Sequence, residues 1–227
     1  MNGFAIAIDG PAGAGKSSVA KAVARILNAT YLDTGAMYRA VGLYMMKSGV
    51  PLNDPALIAA HADDAHVDVR YEDGVQHIDL NGEDVSGAIR ENAVSAAASA
   101  VSAVPRVREL MVARQREIAA KTDVVMDGRD IGTRVLPDAP LKIFLTATPE
   151  VRAGRRYLEL KNRGQNVDLK TLLEEIKQRD YNDSHRAVSP MVPADDAILL
   201  DSSTMTETEV TERVVSLARE RMGGEKA

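Results

Sequence analysis

Eight consecutive residues, Gly10-Pro11-Ala12-Gly13-Ala14-Gly15-Lys16-Ser17, follow the spacing G-x-x-x-x-G-K-[ST] between a short apolar run and an amphipathic stretch. These residue types suit polyphosphate chemistry. Glycines let successive backbone N–H groups turn onto phosphate oxygens, and the start of a helix adds positive potential. Lys16 can follow charge that migrates during transfer, Ser17 can hold Mg²⁺, and Ser18 continues the helix start. The implication is binding of a nucleoside triphosphate, with the acceptor left open. GTPases and motor ATPases need an Asn-Lys-x-Asp motif or an apolar strand closing in Asp-Glu, and the sequence has neither. A small-molecule kinase is the favoured reading.

An acceptor that is itself a phosphate requires concentrated positive charge, because two anions must be brought together. The 28 basic residues include 19 Arg. Arginine's planar fork binds phosphate oxygens bidentately and keeps its proton. Arg39 and Arg129 follow apolar runs whose ends are where α/β folds bind ligands. Taken singly, Arg106, Arg114, Arg116, Arg213 and Arg219 read more readily as solvated helix faces. Asp127-Gly128-Arg129-Asp130 places acceptors beside a donor at a strand end, with plain ion pairing as the alternative. Arg179-Asp180, Asp183 and Arg186 fall on one helical face with alternating sign, and spacing alone makes them a surface salt-bridge ladder.

The elements that must position these residues read as alternating strands and helices. Apolar runs at Phe4 to Ile8, Thr30 to Asp33, Asp123 to Met126, Leu141 to Leu145 and Ala197 to Leu200 predict five parallel strands. Helices are predicted over Ser17 to Asn28, Ala36 to Lys47, Ala93 to Ala103, Val107 to Ala120, Pro149 to Asn162, Asp168 to Asp180 and Thr206 to Met222. The stretch VDVRYEDGVQHIDLNGEDV from Val67 alternates apolar and polar residues around Asp73-Gly74 and Asn81-Gly82, which predicts antiparallel hairpins. The fold class is therefore α/β, a doubly wound five-stranded parallel sheet with an antiparallel β insertion near residues 66–92.

Composition excludes other classes. The chain has 227 residues, a net charge of −5, no Cys and 4 His without metal-ligand spacing, so thiolate and zinc chemistry are not expected. The charge balance does not suit a nucleic-acid-coating protein, and no apolar run reaches membrane-spanning length. The N-terminal residues lack the pattern of a signal peptide, so the expected setting is cytoplasmic. A monomer is expected, since no broad apolar surface is legible.

Six segments carry a resemblance. Ile8-Asp9-Gly10-Pro11 at the phosphate loop, Leu32 to Arg39, Asn81 to Ser86, Pro105 to Arg108, Asp127 to Thr133, and Arg179 to Val188 together resemble the bacterial cytidylate kinases, which are P-loop nucleoside monophosphate kinases. The resemblance covers nearly the whole chain. It implies Mg²⁺-dependent transfer from ATP to CMP or dCMP and a core of residues 1–38, 121–148 and 187–227. It also implies a monophosphate-binding region over 39–120 and a short mobile lid with its following helix over 149–186. It puts the acceptor phosphate on Arg39, Arg129 and Arg186, with Thr34 and Tyr38 nearby, and the ribose near Arg179 and Asp183. The base falls to Ser99, Arg108 and Asp130, a set suited to the N4 amino group, N3 and O2 of cytosine. Arg152, Arg155 and Arg156 fall in the lid, over the ATP phosphates. Some relatives carry Ser where this chain has Thr34. Kinases for UMP, AMP or a hydroxylated metabolite, and an ATP-binding module without turnover, remain the alternatives.

Overall fold

In a computed structural model, which describes residues 4–221, the apolar runs form one parallel sheet. Its strands are β1 (Ala5–Asp9), β2 (Thr30–Asp33), β6 (Val124–Asp127), β7 (Leu141–Thr146) and β8 (Ile198–Asp201), in the order β2-β6-β1-β7-β8. β1 is buried along its whole length, as a central strand covered on both faces must be. Side chains alternate between the faces. Ile6, Ile8, Val125, Leu141, Ile143 and Leu145 pack beneath α1 (Lys16–Ile26) and α8 (Glu207–Arg221). Ala5, Ala7, Leu32, Val124 and Met126 form a second core with α2 (Thr34–Lys47), α4 (Asn92–Ser102) and α5 (Pro105–Ala119). The predicted α/β architecture is the one observed.

The insertion is a separate sheet of β3 (Val67–Glu72), β4 (Val75–Leu80) and β5 (Glu83–Asp84), all antiparallel. It is pinned to the end of β2. Gln76 Oε1 accepts from Asp33 N at 2.7 Å, and the Tyr71 hydroxyl donates to the Tyr31 carbonyl at 3.0 Å. The remaining helices are α3 (Pro55–Ala60), α6 (Pro149–Asn162) and α7 (Leu169–His185), with α6 and α7 packed together.

Several boundaries differ from the sequence pattern. Helix α7 runs through His185, beyond the expected stop at Asp180, with Asp168 capping its start by accepting from Thr171 N at 2.8 Å. Helix α3 was not expected. It is too short for apolar periodicity, and its start is set by Asp54, which accepts from Ala56 N and Leu57 N at 3.0 Å each. The expected helix end at Met222 lies outside the described residues.

Helices α2 and α4 approach closely at Gly42, where an added Cβ would lie 2.9 Å from the Ala98 amide nitrogen. Backbone cannot yield as a flexible side chain can. Gly42→Val is therefore expected to lower stability by about 2 kcal/mol through overpacking. Thermal unfolding checks this, and an unchanged melting temperature would show that the two helices separate freely.

Candidate active site

The site is assembled at the carboxyl end of the parallel sheet, where four of the five strands close in Asp: Asp9, Asp33, Asp127 and Asp201. In an open α/β sheet ligands gather at this edge, where the strand order reverses about β1. The phosphate loop leaves β1 at Gly10. Its φ of +139° suits glycine, and a Cβ there would lie 2.0 Å from the Leu145 carbonyl oxygen of β7. Pro11, Ala12, Gly13 and Ala14 carry the loop to Gly15, which precedes the first turn of α1 in a left-handed conformation. Lys16 Nζ donates to the Pro11 carbonyl at 2.7 Å. Burial and then Arg129 pull the Lys16 pKa down to about 7, against Asp127 and Asp9.

Asp127 was quoted in a motif but not singled out as a site residue. Its carboxylate accepts from Ser17 Oγ at 2.7 Å and from the Tyr31 hydroxyl at 2.9 Å, while its carbonyl accepts from Thr34 Oγ1 at 2.8 Å. Burial raises its pKa. An apolar strand ending in Asp was the available signal, masked because the pattern sought was Asp-Glu. The Ser17 hydroxyl and Asp127 carboxylate form a hard-oxygen pair that fits a divalent cation carried by nucleotide phosphates. Among the described residues no cluster of three or more His, Cys, Asp or Glu side chains could hold a metal ion unaided. Ser18 follows on the exposed side of α1.

The arginines expected around an acceptor phosphate converge on the neighbouring strand ends. Arg39, from α2, donates to Asp33 at 2.8 Å, and Arg129 Nε donates to Asp183 Oδ2 at 3.0 Å. Arg186 lies 3.5 Å from Asp130 and donates to the Ser189 carbonyl. Arg179 is held down to about 10 by burial and by Arg129, with Asp183 opposing. Burial, then Arg108, lowers Arg186 as well. The charges of α7 therefore do not form a ladder along one helix. Asp180 reaches Arg152, Asp183 reaches Arg129, and Arg186 reaches Asp130.

Beside this group lies a buried ion pair between Arg108 Nη2 and Asp130 Oδ2, with side chains 4% and 6% exposed. Arg108 Nη1 also donates to the Ser102 carbonyl at 3.2 Å, and its guanidinium stands 5.4 Å from the centre of the Tyr38 ring. Ser102 Oγ donates to the Ser99 carbonyl at 2.9 Å, so half-buried Ser99 is joined to Arg108 through Ser102, which the sequence reading passed over. Asp130 starts a π-helical turn, Ile131–Val135, a local conformation without a clear sequence signature. Asp9 holds that turn: its carboxylate accepts from Ile131 N at 2.8 Å and from Gly132 N at 2.7 Å.

On the donor side, Arg152 Nη1 donates to Asp180 and to the Ala12 carbonyl at 3.0 Å each, and Nε donates to the Ala147 carbonyl at 2.8 Å. Its fork is engaged within the protein. Arg155 donates to the Ser202 carbonyl at 2.7 Å and to Ser202 Oγ at 3.2 Å, directly behind the loop. Arg156 pairs with Glu159 at 2.8 Å on the outer side of α6.

Fold and site together define a P-loop kinase. A gluconokinase from Sinorhizobium meliloti 1021 shares the fold, with a TM-score of 0.50 at 18% identity over 96% of this chain and 94% of that one. The family model for cytidylate kinase matches residues 6–220. A protein named cytidylate kinase from Caldanaerobacter subterraneus subsp. tengcongensis is 51% identical over 97% of this chain and 96% of its own length. A second, from Pseudomonas aeruginosa, is 51% identical over 95% and 96%, and a third, from Caldicellulosiruptor saccharolyticus, is 49% identical over 99% and 100%. The chain belongs to the cytidylate kinase family, and membership implies phosphoryl transfer to CMP.

Asp9 carries a pH signature. Burial, chiefly, raises its pKa from 3.8 to about 6, with the two amide donors opposing. A carboxylate whose native pKa exceeds its unfolded value weighs against folding once ionised, and that weight builds as pH rises from 3.8 to about 6. Urea unfolding of the wild type and Asp9→Asn is expected to show the wild type losing, relative to the variant, on the order of 3 kcal/mol between about pH 4 and about pH 7. A difference that stays level would mean that Asp9 titrates normally.

Proposed function

We propose that the protein transfers the γ-phosphoryl group of ATP to CMP or dCMP with Mg²⁺, as a cytoplasmic monomer. The observation that carries the base assignment is the buried Arg108–Asp130 pair adjoining the arginine group. A carboxylate there accepts from the cytosine N4 amino group, and the guanidinium donates to N3 and O2. Uracil would set its O4 acceptor against that carboxylate.

Arg39, Arg129 and Arg186 bind the acceptor phosphate, with Thr34 and Tyr38 beside them, and Arg179 and Asp183 face the ribose. The depressed Arg179 and Arg186 pKa values support this assignment: burial first, and then a neighbouring arginine, disfavours their charged forms, and an anion bound among them would offset both. Gly10 to Ser17 hold the donor phosphates. Mg²⁺, held by Ser17, would supply charge that neutralises the donor phosphates. Lys16 stabilises charge on the transferred group, with Arg155 and Arg156 closing over it as residues 149–186 move. Residues 39–120 carry the acceptor toward the core. Arg152 contributes by fixing Ala12 of the loop to Asp180 of α7. A general base is unnecessary, since the acceptor phosphate has its second pKa near about 6 and is already anionic at neutral pH.

The test is ADP release from Mg·ATP at equal CMP, dCMP, UMP and AMP, with products identified by mass. CMP and dCMP are expected to exceed UMP by roughly 100-fold, and Asp130→Ala to narrow that gap. Dominant use of UMP or AMP would overturn the base assignment, and no transfer to any acceptor would overturn the catalytic reading.

A further inference from the structure

A polar side chain without a role in the reading above lies behind the base-facing pair. Gln115 follows Arg108 by two helical turns on α5, on the same face, and is 1% exposed. The other buried positions of that face, Val107, Met111 and Ala119, are apolar, so an apolar residue at 115 would complete the stripe. Instead both polar atoms of the Gln115 amide are buried without a hydrogen bond, and so is the Tyr38 hydroxyl of α2. Burying such groups unpaired is unfavourable to folding, and an apolar residue of similar volume would remove that cost.

The neighbourhood shows where that polarity acts. Burial pushes the Tyr38 hydroxyl up to about 12, Asp130 adds to the rise, and Arg108, Arg186 and the Gln115 amide pull it back. Helices α2 and α5 pack against each other, and each buries an unpartnered polar group, the Tyr38 hydroxyl and the Gln115 amide. The Tyr38 ring in turn faces the Arg108 guanidinium, 5.4 Å from its centre. Arg108 Nε is unpartnered, so the orientation of this guanidinium rests on Asp130, the Ser102 carbonyl and the ring. An amide N–H brought to the hydroxyl oxygen would fix the phenol in place, and with it the ring face that the Arg108 guanidinium meets.

We propose that Gln115 is a positioning residue of the acceptor-base pocket, acting through Tyr38 to hold the Arg108 guanidinium in the orientation that selects cytosine over uracil. The proposal rests on the base-facing role of Arg108 and Asp130.

Gln115→Met and Tyr38→Phe, singly and together in the full chain, test it through KM and kcat for CMP and UMP, KM for ATP, and melting temperature. Gln115→Met is expected to raise KM for CMP about three- to tenfold and to lower the CMP-to-UMP preference, with KM for ATP unchanged and the melting temperature no lower. Tyr38→Phe is expected to act in the same direction, and the double variant to be no worse than the worse single. A folded Gln115→Met protein with wild-type KM for CMP and wild-type preference overturns the proposal. If that variant does not fold, Tyr38→Phe decides by the same comparison. The wild-type preference tests the reading beneath: its absence removes the base assignment, whereas a preference that survives both substitutions removes only the role of Gln115.

Discussion

Positive charge gathered inside a folded protein is the constraint that organises this molecule. Lys16, Arg39, Arg129, Arg179 and Arg186 stand around the ends of one parallel sheet, and unpaired charge in such a setting would favour unfolding. Carboxylates at the same edge make the arrangement tenable. Asp33 receives Arg39, Asp183 receives Arg129, and Asp130 faces Arg108 and Arg186. Lys16 lies in the fields of Asp127 and Asp9, which oppose the effect of burial. Compensation is partial, and the lowered pKa values of Lys16, Arg179 and Arg186 record what is left over. Burial is the larger cause of that lowering and repulsion between the cations the next, and under the proposed assignment a bound phosphate would relieve both.

The same strand ends join the phosphate loop to the elements that carry the arginine group. Asp9 ends the strand that enters the phosphate loop and also fixes the π-helical turn that begins at Asp130. Asp127 binds Ser17 with its carboxylate and Thr34 with its carbonyl, so one residue touches the nucleotide loop and the helix that carries Tyr38 and Arg39. Under the proposed assignment a shift of either strand end would displace both substrates together. On the far wall, Arg152 links the loop to α7, from which Arg179 and Asp183 project.

Much of this was legible in the sequence, for reasons that differ by level. Buried parallel strands must be short apolar runs, so all five could be found, and the spacing of the phosphate loop is specific because its backbone geometry is. Strand order was not legible, since it depends on crossovers that no local pattern records. Alternation around Asp73-Gly74 revealed the insertion, but nothing in it announced that Gln76 would clasp Asp33. The α7 charges looked like a surface ladder because spacing describes one helix, whereas their partners come from α6 and from the segment after β6. Gln115 had a visible signal, a polar residue four after Met111 and three before Ile118 in an apolar stripe, yet that it is buried without a hydrogen-bond partner emerges only from the packing of α5.

The most direct measurement of the central claim is calorimetric binding of CMP and of cytidine to the same protein. They share base and ribose and differ only in the phosphate that the arginines are argued to hold. CMP is predicted to bind at least about 100-fold more tightly, a difference near about 2.7 kcal/mol that shrinks as salt is added. Equal affinities would contradict it, and the arginines would then be ion pairs of the fold rather than the seat of the acceptor.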